Sequence, residues 1–60
     1  MEIKEYYSIT LYNERRRAIF HSEDEYDNFE EAQREGYVLL RSHPKADLYS
    51  VERFFAVEDV

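Results

Sequence analysis

Sixty residues make one domain, 1–60. A chain this short buries only about 60% of the surface its unfolded form exposes, so it needs a dense core or an oligomer. No cysteine is present, which excludes disulfides and thiolate metal sites, and two histidines, His21 and His43, are too few for a histidine-rich one. A formal net charge of −6 and a pI near 4.7 argue against nucleic acid or an anionic membrane as the direct partner.

The N-terminus, with charges at Glu2, Lys4 and Glu5, does not read as a signal peptide, and no apolar run approaches the roughly 20 residues that span a bilayer. The expected location is the cytoplasm. Six Tyr and four Phe can build a small core, since each aromatic side chain buries roughly 150–250 Å².

Residues 3–12 alternate with period two. Ile3, Tyr7, Ile9 and Leu11 share one parity, and Tyr6, Ser8, Thr10 and Tyr12 the other, which predicts a strand. Asn13-Glu14 is the expected turn of a β-hairpin over 3–21. In that register Tyr12 pairs with Arg15, Ile9 with Ala18 and Tyr7 with Phe20, so Ala18 and Phe20 join the Ile9 face while Ile19 and His21 take the other.

The next segment concentrates the charge. Residues 23–35 hold seven acids, Glu23, Asp24, Glu25, Asp27, Glu30, Glu31 and Glu35, against Arg34 alone, a local charge of −6. The rest of the chain is neutral. A helix over about 24–35 is predicted, with a capping box at Ser22/Glu25 or Asp27/Glu30 and the only glycine, Gly36, as its stop. Tyr26, Phe29 and Ala32 form its thin apolar stripe.

Beyond Gly36, Tyr37–Arg41 reads as a strand, with a longer helix through Leu40 as the competing reading that Gly36 weakens. His43–Asp47 is a turn, and residues 48–57 are a last strand with apolar residues on both faces. The expected fold is α+β: ββαββ, a four-stranded antiparallel sheet with one helix on one face.

The acidic segment is the leading candidate for a binding surface, with Glu23, Asp24, Glu25, Asp27, Glu30, Glu31 and Glu35 as its residues. As a helix of about 20 Å it would span about six phosphates of one nucleic-acid strand at roughly 3.4 Å each, matching its excess of six acids. Such a helix would occupy the basic groove of a nucleic-acid-binding protein. The other reading of the same acids is a solvated face that keeps an aromatic-rich domain soluble. The segment lacks the spacing and central glycine of an EF-hand, so neither a metal site nor a cofactor is predicted.

The polar sheet face offers a second surface, Tyr6, Tyr12, Arg15, Arg17 and His21, suited to a homodimer or partner interface because Tyr and Arg are enriched there. Catalysis is not expected. Ser22 beside His21 and Ser42 beside His43 point to opposite faces of an extended chain, and no phosphate loop or cofactor fingerprint is present.

The expectation is therefore a small protein-binding module that docks a basic partner through its acids. In size, acidity and lack of catalytic equipment it resembles the accessory proteins that phages encode against host or defence machinery, anti-CRISPR proteins included. That resemblance is one of composition and rests on no motif. The alternative is a structural homodimer joined through the aromatic sheet face.

Overall fold

The computed structural model describes residues 2–22 and 24–58. Four elements follow in the order β1 (Glu2–Tyr12), β2 (Ala18–His21), α1 (Phe29–Ser42) and β3 (Leu48–Glu58). The strands form one antiparallel sheet in the order β2-β1-β3, and α1 lies on one of its faces. The class is α+β, but the sheet has three strands among the described residues rather than four. Tyr37–Arg41, expected as a strand, belongs to the helix. Glu23 of the predicted acidic segment lies outside the described residues, as do Met1, Asp59 and Val60.

The long ribbon of β1 and β3 is the frame. Every residue from Glu2 to Tyr12 pairs with one from Glu58 to Leu48, so Ile9 lies opposite Val51 and Leu11 opposite Tyr49. Because partners across a ladder share a face, one face carries Tyr7, Ile9, Leu11, Tyr49 and Val51, and the other Tyr6, Ser8, Thr10, Ser50 and Phe54. The helix covers the first. Ile9, Leu11 and Ala32 are fully buried there, and Phe29 meets the Tyr7 ring edge-on with centroids 5.7 Å apart.

The hairpin differs from its expected register in an instructive way. Leu11 pairs with Phe20 and Thr10 with His21, a shift of four residues. Four is even, so Phe20 still joins the Leu11 face and His21 the opposite one, whereas Ala18, expected on the Ile9 face, pairs with Tyr12 and lies on the other. The turn is longer because Asn13 organises it. Its side-chain oxygen accepts from the backbone N–H of Arg15 (2.9 Å) and of Arg17 (3.0 Å), while Arg16, at φ 65°, donates to the Asn13 carbonyl. The step between Tyr12–Ala18 and Leu11–Phe20 leaves Ile19 as an extra residue, a β-bulge.

The helix begins and ends elsewhere than expected. Asn28 is its N-cap, accepting from Glu30 N–H (2.8 Å) and Glu31 N–H (3.3 Å), so neither Ser22 nor Asp27 caps it. It runs through Gly36 and stops at His43, just before Pro44. Gly36 is no stop. A Cβ there would lie 2.5 and 2.8 Å from ring atoms of Tyr49, so the glycine serves close approach of helix to sheet. At the far end the His43 ring packs on Phe20, centroids 4.8 Å apart.

Two mutations follow from this packing. Leu11→Ala should cost about 2–5 kcal/mol. A domain of this length has only about 3–9 kcal/mol at roughly 0.05–0.15 kcal/mol per residue, so the variant should lose about half its stability, read by circular dichroism as a much lower urea midpoint. Gly36→Ala gains about 1 kcal/mol of helix propensity but overpacks against Tyr49, at a cost of about 1–3 kcal/mol. Urea denaturation should show a net loss that turns into a gain when Tyr49 is also changed to Leu.

Candidate functional site

The acids do not form the expected helix. Asp24, Glu25 and Asp27 lie in the extended connection before α1, Glu30 and Glu31 in its first turn, and Glu35 one turn further; all are exposed. Half the segment therefore lacks helical spacing, and the regular track of acids matched to phosphates is overturned. The reason is local: Asn28 supplies the cap, and the residues before it are bound to β1 instead.

That attachment is specific. Ser22 N–H donates to the Ile9 carbonyl (2.8 Å). Tyr26 and Tyr7 exchange both backbone hydrogen bonds, at 2.8 and 2.9 Å. The connection thus runs along the edge of β1 that β2 leaves open, and it carries Asp24, Glu25 and Asp27 with it. A surface ion pair links Asp27 to Lys4 at 3.9 Å. A pair so exposed contributes little to stability.

The acids from connection and helix converge on one side chain. Burial pushes the Tyr26 phenol up from its ordinary pKa, and the negative charges of Glu35, Asp24 and Glu31 push it the same way. Three acids on two elements thus act on one half-buried ring. Tyr7 is also raised, chiefly because its hydroxyl donates to the Glu5 carboxylate, which favours the neutral phenol.

The helix-free face places the other predicted residues. Tyr6 stacks on Phe54, centroids 5.4 Å apart and planes 19° apart. His21 Nδ1 lies 2.9 Å from Thr10 Oγ1. Tyr12 sits at the strand's end, and Arg15 and Arg17 in the exposed turn beyond it. Tyr6 and His21 are therefore brought to one depression, with Asp24 and Glu25 at its margin, while Tyr12, Arg15 and Arg17 are not.

Sequence reading passed over Ser8 and Phe54 at this depression. The apolar character of both faces of residues 48–57 pointed toward Phe54. Nothing singled out Ser8, whose burial depends on the pairing of β1 with β3. Among the described residues no group of three His, Cys, Asp or Glu side chains is placed to hold a metal. No described helix is long and apolar enough to cross a membrane. The chain matches no protein-family model, no curated protein and no solved structure.

The two raised phenols set the alkaline behaviour. A phenol whose folded pKa exceeds its unfolded value of about 10 contributes stability that is present below pH 10 and lost as pH rises through the folded value. In an absorbance titration of the phenolate band, Tyr7 and Tyr26 should ionise above the ordinary phenol value of about 10. Glu31→Gln with Glu35→Gln should advance Tyr26 and leave Tyr7 in place.

Proposed function

We propose that this protein is a small binding module whose acidic face docks a basic protein, and that it acts as a stoichiometric inhibitor by occupying a nucleic-acid-binding groove. The observation that carries this reading is the convergence of acids from two elements. Asp24, Glu25 and Asp27 lie exposed on the connection held to β1, and Glu30, Glu31 and Glu35 lie exposed on the first turns of α1. A concentrated field of one sign steers a cationic partner and is worth most at low salt. The match is to charge density rather than to a helical phosphate spacing. Docking needs no catalytic group, metal or cofactor.

The test is capture of the partner from the native host's lysate at low and high salt. Nucleic acid serves as competitor and the Glu30→Lys/Glu31→Lys variant as control. The reversal should weaken capture by about tenfold or more, a loss on the scale of 1.4 kcal/mol, with the circular dichroism unchanged. Salt and nucleic acid should each release the captured protein. Capture that survives reversal, salt and competitor would sink the reading.

A second reading, a homodimer, is supported by the outer edge of β3. This strand of 11 residues lies at the sheet margin, and nothing among the described residues pairs with that edge. On β1 the odd residues Tyr7 and Ile9 direct their backbone groups away from β3. By alternation, the odd residues of β3 direct theirs to its free edge. Long, apolar free edges invite pairing.

A two-fold axis on Glu52 or on Arg53 would oppose like charges. An axis on Phe54 opposes Arg53 to the partner's Phe55 and Val51 to the partner's Val57, with no like-charged pair along the overlap. Sedimentation should then depend on concentration and strengthen with salt, which screens two copies of charge −6. That salt effect is opposite in sign to docking of a basic partner. Phe55→Pro removes an outward N–H without touching the β1 ladder, and should yield folded monomers.

A further inference from the structure

The helix-free face of the sheet holds a depression of about 460 Å³. One wall is the stacked pair Tyr6 and Phe54. His21 also lines the depression, as do Asp24 and Glu25 from the connection that passes along β1. The lining also includes Ser8, from the central strand.

Ser8 is the unusual member. It is 5% exposed, and its Oγ has no hydrogen-bond partner among the described residues. The other two buried hydroxyls are satisfied. Thr10 Oγ1 meets His21 Nδ1 at 2.9 Å; Ser22 Oγ accepts from Ile9 N–H at 3.0 Å and donates to the Asp24 carbonyl at 3.3 Å. Buried polar groups are paired in the great majority of cases, and an orphan calls for an explanation.

The three parts select one kind of ligand. The acidic residues of the lining, Asp24 and Glu25, disfavour anions. An apolar group would leave the Ser8 hydroxyl unpaired. A divalent metal would need a cluster of ligating side chains that is absent among the described residues. A lysine ammonium satisfies the acids but is compact, strongly hydrated and without a plane to stack. A guanidinium satisfies all three parts. It stacks on an aromatic face, presents a fork of N–H donors to carboxylates, and has donors left for a buried hydroxyl oxygen.

We propose that this depression receives an arginine side chain of the basic partner, stacked on Tyr6, bound by Asp24 and Glu25, and donating to Ser8 Oγ. The inference rests on the acidic docking reading, because the arginine comes from the protein that the acids attract. It adds an anchor with a defined side-chain preference to a surface otherwise defined by charge alone.

The experiment is a chemical-shift titration of the full chain with blocked tripeptides Gly-Arg-Gly and Gly-Lys-Gly at low salt. The arginine peptide should give saturable shifts at Tyr6, Ser8 and His21 and bind at least about fivefold more tightly than the lysine peptide. That ratio should fall toward one in Ser8→Ala and in Tyr6→Leu, both checked for fold by their amide spectra. It should persist in Glu14→Gln, a change in the exposed turn after β1 that lies outside both the depression and the acidic face. Equal binding of the two peptides, or shifts that avoid Ser8, would overturn the pocket while leaving charge-dependent capture of the partner intact. No shift from either peptide would also overturn it, and loss of salt-sensitive capture would then show that the docking reading had failed with it.

Discussion

The ring of Tyr49 lies where a side chain at position 36 would otherwise stand, and most of the structure follows from that contact. With glycine at 36 and alanine at 32, the middle of α1 approaches the sheet closely enough to seal Ile9 and Leu11 from water. Larger groups, Phe29 and His43, hold the two ends, one against Tyr7 and the other against Phe20. A short chain has few apolar residues to bury. Small residues at the centre of the contact and rings at its ends make a core from few side chains.

The same contact sets the surface. Docking on the face that carries Tyr7 and Tyr49 leaves the opposite face without a helix, so Tyr6, Phe54, Ser8 and Thr10 have one another, His21 of β2 and the connection as neighbours there. It also leaves the sheet longer than its cover. Ile3, Phe55 and Val57 remain largely exposed on the arm of the β1–β3 ribbon that extends past the helix, and the molecule is elongated, 43 × 20 × 13 Å.

The electrostatics follow the backbone rather than the helix. Because the connection is held to β1 by Ser22 and Tyr26, its acids are fixed along that edge while the first turn of α1 brings Glu30 and Glu31 behind them. Acids in the first turn are favourable beside the helix N-terminus, whereas Glu31 and Glu35, four residues apart, repel. The helix is held by its packed face and by Asn28, so it tolerates this repulsion, which leaves a strong negative field at the surface.

The alternation of β1, the two-faced apolar character of β3, the facial assignment of Phe20 and His21, and the location of the charge were legible in the order of residues alone. All are local properties of period two or of composition, and an even shift of register does not alter them. The tertiary structure decided the rest. Gly36 reads as a stop when only backbone freedom is considered, and as a packing residue once Tyr49 lies beneath it, which turned a fourth strand into the second half of a helix. Ser22 and Asp27 read as caps for that helix, and Asn28 takes the role instead because Ser22 and Tyr26 are bound to β1. Ser8 reads as a solvent-facing position by alternation. Pairing with β3 and the passage of Asp24 and Glu25 bury it, because burial of a strand's polar face depends on neighbours distant in sequence.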